Sequence, residues 1–239
     1  MPNPIITRRA VNRKRPAIFD KMVAYWTLGE ASGPRVDLAN NFALADNATV
    51  TQADGKIGKA AQFTRANSEF LSVGDNPTLS LGSENSDKFS LALWVYFDSL
   101  TVNQILAAKN DGASWEFDLI LANAGTLGVF LEITGQSTGY TFVGQTPTIN
   151  TATWYFVYIQ ADGATIGISI DNAALSTTAF TGALIDSTSA FKIGASGVGN
   201  YMDGRIQHVT LWKGRVLTQA ERDWLWNAGR GRDLSLYLR

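Results

Sequence analysis

The stretch from Phe89 to Phe97 constrains the fold more than any other part of the chain. Large apolar residues recur there at every second position, which places them on one face of a strand: Phe89, Leu91, Leu93, Val95 and Phe97. The opposite face also becomes apolar toward its C-terminal half, where it carries Trp94 and Tyr96. Because both faces need cover from other elements, the pattern predicts the central strand of a sheet.

Similar short segments recur along most of the chain. The predicted strands cover 23–28, 69–73, 104–109, 115–121, 127–133, 139–143, 154–160, 165–170, 191–193 and 204–211. Asp162-Gly163 and Asp171-Asn172 occupy hairpin-turn positions between them. About a dozen short strands with regularly spaced turns predict an all-β fold, an antiparallel sandwich of two sheets.

The C-terminal region adds one short helix to this plan. Apolar residues alternate over 204–211, with one step out of register at His208 that allows a bulge. Thr218 and Glu221 have the spacing of a capping box, in which each side chain bonds the backbone N–H of the other residue. We therefore predict an α-helix that begins after Thr218 and is C-capped by Gly229. His208 is expected to be a structural residue with a local hydrogen bond.

Several kinds of site are excluded by residue types that are absent or rare. The 239 residues include no cysteine, which excludes disulfides, thiolate metal sites and cysteine nucleophiles. A single histidine excludes a zinc site built from histidines and argues against a His-centred catalytic triad. The sequence does not support nucleotide binding, because no Gly-rich phosphate loop follows a strand and opens a helix.

The N-terminus does not have the pattern of a secretory signal. No apolar segment follows its basic residues. No apolar run approaches the roughly 18 residues that a membrane helix needs. We therefore expect a protein without a membrane span that is made in the cytosol, with a virion as one destination. A mature form that has lost its signal is the alternative.

Charge is distributed unevenly along the chain. Residues 1–21 carry six basic side chains and one acidic, residues 22–204 seven basic and seventeen acidic, and residues 205–239 seven basic and three acidic. Basic ends on an acidic body suggest that the ends bind something negative, such as the body of a neighbouring copy. We divide the chain into an extended arm over 1–21, a sandwich domain over 22–229 and a tail over 230–239.

The predicted arm contains prolines and has no apolar periodicity, so we expect no helix or central strand in it. Its candidate partner-binding residues are Arg8, Arg9, Arg13, Lys14 and Arg15. The arm is either a solvated tail or a segment that orders on another protein, in a homo-oligomer or in a larger assembly such as a capsid or tail. Nucleic acid is not favoured as a partner, because no aromatic residues are interleaved with the charges.

Motifs in order along the chain resemble those of a known family. They are Tyr25-Trp26, the Gly-x-x-Gly-x-Ala-x-x-Phe segment over 55–63, Phe89-Ser90 with Trp94-Val95, Trp154-x-x-Val157, and Leu217-Thr218-x-x-Glu221. From about Tyr25 to Gly229 the chain resembles the laminin-G-like, concanavalin A-like jelly-roll domains. The resemblance implies a jelly-roll sandwich. It does not imply one function, because lectins, glycosidases, adhesion modules and structural proteins share the fold.

Glu116-Phe117-Asp118 can be compared with the glycosidases among these relatives. Some retaining glucanases of this fold carry Glu-x-Asp-x-Glu on one strand, where alternation puts all three carboxylates on one face. Here Glu116 and Asp118 would share a face, but Ile120 stands where the second glutamate is needed. We therefore expect no catalytic residues and no enzymatic activity, and we interpret the two carboxylates as rim residues of a half-exposed strand.

Glycan binding would use aromatic side chains that stack on sugar rings. The candidates are Trp94, Tyr96, Trp115, Tyr140 and Tyr201. Packing within the protein is the alternative explanation for this set. It is strongest for Trp94, which matches a core position of the family.

Calcium enters only through the resemblance, since many relatives bind it at loop rims. It takes about six to eight oxygen ligands from carboxylates and carbonyls. The candidate ligands are Asp111, Asp118, Asp171, Asp186 and Asp203. The sequence lacks a dense Asp-x-Asp-x-Asn loop, and aspartates also occur in turns for backbone reasons. No cofactor is required, and calcium stays an open alternative.

Three functions are compatible with these observations. The first is a non-enzymatic structural or adhesion module, in particular a phage virion decoration or tail-associated protein tethered by its basic arm. The second is a lectin-like carbohydrate-binding module, with or without calcium. The third and least favoured is a degenerate retaining glycosidase.

Overall fold

Two antiparallel β-sheets pack face to face around an apolar core. The computed structural model describes residues 16–82, 88–113, 115–122, 125–132, 140–145 and 147–238, and these contain fifteen strands. The strands are β1 (Met22–Trp26), β2 (Ala45–Asn47), β3 (Thr51–Asp54), β4 (Lys59–Phe63), β5 (Phe70–Val73), β6 (Lys88–Phe97), β7 (Gln104–Asn110), β8 (Trp115–Ala122), β9 (Thr126–Glu132), β10 (Tyr140–Gln145), β11 (Trp154–Asp162), β12 (Thr165–Ile170), β13 (Ser176–Ala179), β14 (Phe191–Ile193) and β15 (Gly204–Lys213). The all-β sandwich predicted from the sequence is confirmed.

The sheets join strands that are far apart in sequence. The larger sheet has eight strands in the order β13-β12-β11-β6-β15-β4-β3, with β1 also paired to β15. The smaller sheet has seven, in the order β10-β9-β8-β7-β14-β5-β2. In the smaller sheet β14 lies between β7 and β5, and such crossovers are consistent with a jelly roll.

Strand β6 has the central position that its two apolar faces predicted. It pairs with β11 along one edge and with β15 along the other. Leu91, Leu93 and Val95 point into the core between the sheets and are fully buried. Each such side chain stabilises the fold by about 1.5–3 kcal/mol. Trp94 points to the outer face of the larger sheet and is also buried.

Strand β15 changes partners at the irregularity that the sequence indicated. Residues 204–206 pair with β4, and residues 209–212 pair with β1. Between these stretches the register with β6 shifts, and His208 has a φ of 51°. The predicted bulge is therefore confirmed, and the bend that it introduces lets two short strands share one edge. The His208 ring is buried, with Nδ1 2.6 Å from the Tyr25 hydroxyl oxygen.

Helical segments cover the outer face of the larger sheet. They are α1 (Gln219–Trp226) and the 3₁₀ turns Ala17–Phe19 and Leu234–Tyr237. One apolar cluster joins strand residues Tyr25, Ala92, Trp94, Phe156, Tyr158 and Trp212 to covering residues Ile18, Phe19, Leu217, Leu225 and Leu234. On the outer face of the smaller sheet, by contrast, Tyr140 and Phe142 are 41% and 36% exposed. Within the described ranges, the accessible sheet face is that of the smaller sheet.

Both terminal segments pack against the sandwich where the structure describes them. Trp212 Nε1 donates to the carbonyl oxygen of Ile18 at 2.6 Å, which holds the end of the predicted arm on β15. In the predicted tail, Asp233 accepts from the Tyr25 hydroxyl at 3.1 Å, and Leu234 is buried. The five basic residues of the arm that were predicted to bind a partner lie outside the described residues.

Helix α1 begins as predicted and ends earlier. The Thr218 hydroxyl accepts from the Glu221 N–H at 3.3 Å, and the Glu221 carboxylate accepts from the Thr218 N–H at 2.9 Å, which completes the capping box. Gly229 is not the C-cap. Asn227 has that position with a φ of 52°, and its N–H donates to the carbonyl oxygen of Asp223 at 2.9 Å. Asparagine tolerates the left-handed conformation, so the helix can stop before the glycine. Across the described part of the chain, no helix is long and apolar enough to cross a membrane.

Removal of the N-cap hydroxyl tests the contribution of the capping box. Thr218→Ala deprives the Glu221 N–H of its acceptor and is expected to lower the free energy of unfolding by about 1 kcal/mol. Thr218→Ser keeps the hydroxyl and should remain close to the wild type. Urea denaturation followed by tryptophan fluorescence measures both variants. Equal losses in the two would mean that the hydroxyl does not cap the helix.

Candidate functional site

A bulge in β8 determines which of its side chains reach the outer face of the smaller sheet. Phe117 pairs with Lys109 and Trp115 pairs with Asn110, so Glu116 is an extra residue in the ladder. Side-chain alternation is interrupted at such a position. Trp115 therefore turns to the outer face, although strict alternation from Phe117 would direct it toward the core.

Glu116 is turned away from that face and is bound within the protein. Its Oε1 accepts from the Lys109 ammonium at 2.6 Å and from the Ser187 N–H at 2.9 Å, and its Oε2 accepts from the Leu81 N–H at 2.7 Å. Lys109 is fully buried and also lies 2.7 Å from a carboxylate oxygen of Asp75. The prediction that the two carboxylates of the Glu-x-Asp motif share a face is therefore wrong, because the bulge separates them.

Asp118 lies at a cavity of about 260 Å³ on the outer face of the smaller sheet. The other lining residues are Asn110, Gly112, Trp115 and Val198. Asn110 orients the carboxylate: its Oδ1 accepts from the Gly112 N–H at 2.7 Å, and its Nδ2 donates to Asp118 Oδ2 at 2.9 Å. Asp118 is 9% exposed, and its Oδ1 is buried without a hydrogen-bond partner among the residues described. A fixed carboxylate with one buried, unsatisfied oxygen thus borders the cavity.

Burial raises the pKa of Asp118 to about 6. The hydrogen bond from Asn110 and the charge of Lys192 act in the opposite direction and are weaker than the effect of burial. Near neutral pH the carboxylate is therefore ionised, and it takes up a proton as the pH falls below about 6. A carboxylate perturbed in this way within a cavity is typical of a functional site.

Aromatic side chains border the cavity on the side of β9 and β10. Trp115 and Tyr140 have ring centroids 5.7 Å apart. The Phe130 ring lies 5.2 Å from that of Tyr140 and 4.4 Å from that of Phe142, centroid to centroid. A Cβ atom on Gly128 would come within 2.3 Å of the Phe142 ring. The glycine therefore lets this ring lie close against the sheet.

A second aromatic pair borders the same face on the side of β5. Phe70 and Tyr201 have ring centroids 6.3 Å apart. The Lys192 ammonium, on β14, lies 5.7 Å from the centroid of Phe70. Because β14 separates β7 from β5 in the sheet, Lys192 stands between the cavity and this pair. The face thus has aromatic surfaces at both ends and charged groups between them.

The aromatic residues predicted for glycan binding fall into two groups. Those on the outer face of the smaller sheet or at its rim are Trp115, Tyr140 and Tyr201. Trp94 and Tyr96 belong to β6 of the larger sheet instead. Trp94 is 3% exposed and packs 5.4 Å from the Phe156 ring. Tyr96 packs 5.4 Å from the Trp154 ring. The structure therefore separates these two from the cavity.

Five residues of this face were not predicted from the sequence: Asn110, Phe70, Phe130, Phe142 and Lys192. Phe130 and Phe142 alternate with inward residues of their strands, such as Val129 and Val143, which pack in the core. An outward aromatic residue on a strand with an apolar inward row is a signal that could have selected them. No comparable signal marks Asn110 or Lys192, because their role depends on strands that are distant in sequence.

The aspartates considered for calcium are not gathered at one site. They are Asp111, Asp118, Asp171, Asp186 and Asp203. In the portions that the structure describes, no group of three or more His, Asp and Glu side chains is arranged to hold a metal ion. Asp203 pairs with Arg65 at 3.2 Å, and Asp171 accepts from the Phe156 N–H at 2.9 Å. These contacts fix loops and turns.

A larger cleft, of about 650 Å³, lies beside the larger sheet and the C-terminal segment. Its His208 contacts the Tyr25 hydroxyl, which also donates to Asp233 at 3.1 Å. Lys59 at its rim pairs with Asp54 at 2.6 Å. Burial lowers the pKa of His208, so the ring is neutral near pH 7. His208, Tyr25 and Asp233 attach the C-terminal segment to the sheet, which is a structural role.

Comparison with known proteins identifies the family of this sandwich. Residues 71–221 match the model of the concanavalin A-like lectin/glucanase superfamily, which is more than half of the chain. The chain belongs to this superfamily. A comparison with curated proteins found no match.

Solved structures share the fold at low sequence identity. Domain 4 of AbnA, a GH43 extracellular arabinanase from Geobacillus stearothermophilus in complex with arabinotriose, is 16% identical with a TM-score of 0.63, over 89% of this chain and 98% of that one. The binding domain of Paraclostridial Mosquitocidal Protein 1 is 16% identical with a TM-score of 0.68, over 89% and 53%. A structure of botulinum neurotoxin type C, whose cell entry depends on two ganglioside molecules, is 12% identical with a TM-score of 0.67, over 88% and 52%. This chain spans about half the length of the two toxin chains, and the similarity concerns the fold alone.

A pH titration of stability tests the buried state of Asp118. Its pKa in the folded protein, about 6, lies above the usual 3.8, so the folded state binds more protons between these values. Stability therefore falls as the pH rises through this range. Asp118→Asn removes the penalty, and its free energy of unfolding is expected to exceed that of the wild type by about 3 kcal/mol near pH 8 and by little near pH 3.5, measured by urea denaturation.

Asp54→Asn is a matched control for this titration. Asp54 is exposed, and its hydrogen bond with Lys59 lowers its pKa. Loss of this carboxylate is not expected to raise stability at any pH. Parallel pH profiles for the wild type and Asp118→Asn would contradict the argument from burial.

Disruption of the buried pair of Lys109 and Glu116 tests how much it contributes to stability. Lys109→Met leaves the Glu116 carboxylate buried without its cation and is expected to lower the free energy of unfolding by about 3–5 kcal/mol. Adding Glu116→Gln removes the uncompensated charge and should recover part of the loss. Lys59→Met, in an exposed pair, should change stability little. Equal effects of the two lysine substitutions in chemical denaturation would show that burial does not matter.

Proposed function

We propose that this chain is a non-enzymatic carbohydrate-binding module that holds glycan on the outer face of its smaller sheet. The observation that carries the proposal is the cavity lined by Asp118 and Trp115, where the carboxylate has an unsatisfied oxygen and the Trp115 ring packs against that of Tyr140. Sugars have C–H faces that pack on aromatic rings and hydroxyl groups that donate hydrogen bonds to carboxylates. The cavity therefore complements both kinds of surface on a sugar ring.

The arrangement of the face suits an oligosaccharide. The cavity, at about 260 Å³, is small for a ligand pocket and bordered by open sheet surface. Phe142 lies beyond Phe130 on one side, and Tyr201 lies beside Phe70 on the other. One sugar ring would occupy the cavity, and neighbouring sugars would reach these outer rings.

Proteins of similar fold support a binding role. The AbnA domain was solved with arabinotriose, and the type C neurotoxin is described by its interaction with gangliosides. Arabinotriose is an oligosaccharide, and a ganglioside is a glycolipid with an oligosaccharide head group. This supports the class of function that we propose, and the identity of the glycan is not carried over from either protein.

Two residues support a function without catalysis. Glu116 faces inward and is paired with Lys109. Ile120 packs with Ile105 in an apolar cluster on the outer face. A retaining glycosidase needs two carboxyl groups about 5–5.5 Å apart, and among the described lining residues of the cavity only Asp118 supplies one. The proposed binding mode also needs no calcium.

A tethering role for the basic arm is a compatible part of the proposal. Residues 1–15 carry five basic side chains and no acidic one. Such an arm would attach the module to an acidic surface, such as a neighbouring copy or another subunit of a virion capsid or tail. The glycan-binding face would then serve adhesion to a cell surface.

A glycan array tests the proposed function, with arabinotriose among its neutral and acidic oligosaccharides. We expect Trp115→Ala and Tyr140→Ala each to weaken binding of the best oligosaccharide about tenfold, because each removes a stacking ring. Tyr96→Ala is the matched control, since this half-buried aromatic residue belongs to the other sheet. No binding with or without calcium, or an equal loss in the control, would contradict the proposal.

A further inference from the structure

We infer that the glycan bound at this face is a neutral one, and that Asp118 excludes sugars that carry a carboxylate. The inference rests on the proposed function and narrows it from glycan binding to a class of glycan. It follows from the hydrogen-bonding state of Asp118 and from the charges around it.

Asp118 presents an acceptor and no donor to a ligand. Its Oδ2 is occupied by the amide of Asn110, and the amide oxygen is itself occupied by the Gly112 N–H, so the amide is held in one orientation. Oδ1 has no partner among the described residues. Oδ1 is itself buried, and an ionised carboxylate has no proton, so a group that hydrogen-bonds to Asp118 from the cavity must donate. A sugar hydroxyl can do so, and an ionised carboxylate cannot.

The charge of Asp118 acts in the same direction. The side chain is nine-tenths buried, so solvent screens its charge weakly. The groups facing it from neighbouring strands are neutral Asn110 on β7, neutral Phe130 on β9 and the cation of Lys192 on β14. A carboxylate brought into the cavity would therefore meet a like charge at close range.

Lys192 offsets this effect only in part, since its charge acts on Asp118 more weakly than burial does. Its ammonium lies against the ring of Phe70, and Lys192 is not one of the lining residues of the cavity. A ligand carboxylate that binds the Lys192 ammonium directly would lie near the ring of Phe70 on β5. Binding of a ligand carboxylate by Lys192 is the alternative to our inference, and it predicts a preference for acidic sugars.

The test measures how tightly the full chain binds the two members of matched pairs of oligosaccharides, one neutral and one acidic. The pairs are lactose with 3′-sialyllactose, methyl-esterified with free oligogalacturonide, and xylotriose with its glucuronic acid derivative, alongside the neutral arabinotriose. We expect the wild type at about pH 7.5 to bind the neutral member of a recognised pair at least about tenfold more tightly than the acidic member. In Asp118→Asn the ratio of the two affinities, neutral over acidic, should fall toward one. The new side chain is uncharged, and its amide can donate a hydrogen bond to a carboxylate.

A pH series on the wild type gives a second measure that needs no variant. The pKa of Asp118, about 6, lies above those of sugar carboxylates, so near pH 5 Asp118 is largely protonated while the ligands stay ionised. The ratio of the affinity for the neutral member to that for the acidic member should therefore fall as the pH is lowered from about 7.5 to about 5. This measurement decides the matter if Asp118→Asn binds no oligosaccharide.

The outcomes separate the inference from the proposed function. Equal affinity of the wild type for both members, or a ratio that Asp118→Asn and low pH leave unchanged, overturns the inference while glycan binding stands. A ratio that changes in Lys192→Met and not in Asp118→Asn assigns the selectivity to Lys192 and also overturns it. Absence of wild-type binding to every oligosaccharide overturns the proposed function itself.

Discussion

The accessible face of this sandwich depends on the buried pair of Lys109 and Glu116. The pair lies at the bulge of β8, and with Glu116 directed inward the preceding residue, Trp115, turns outward beside Asp118. Glu116 also binds the backbone of two loops, so the end of the β7–β8 hairpin is held to the rest of the domain. A structural ion pair thus sets the geometry of a cavity to which neither of its members contributes.

The two sheets differ in what covers their outer faces, and this difference locates the candidate site. The larger sheet is covered by α1 and the terminal segments, so its outward aromatic residues, such as Trp94, are buried. On the smaller sheet the charge of Asp118 and the exposed rings of Tyr140 and Phe142 lower stability rather than raise it. Contact with a ligand that stacks and donates hydrogen bonds would make the same features favourable.

Much of the fold was predictable because it depends on local patterns. Alternation in β6 predicted a central strand, the step at His208 predicted a bulge, and the Thr218 capping box predicted the start of α1. Part of the candidate site was also predicted from the sequence, since Trp115 and Tyr140 were selected as aromatic candidates for glycan binding. The grouping of Glu116 with Asp118 failed, because alternation was applied across a bulge that the sequence does not reveal.

The sequence by itself determined most of the strands, the two-sheet sandwich and the absence of cysteine chemistry, because periodicity and composition act locally and through burial. Only the tertiary structure decided which carboxylate is buried in an ion pair and which is left unsatisfied in a cavity. That outcome depends on contacts of Glu116 with two distant loops and of Asp118 with Asn110 on the neighbouring strand. Two acidic residues that look equivalent in the sequence therefore have different roles, since their environments are assembled from segments that meet only in the folded chain.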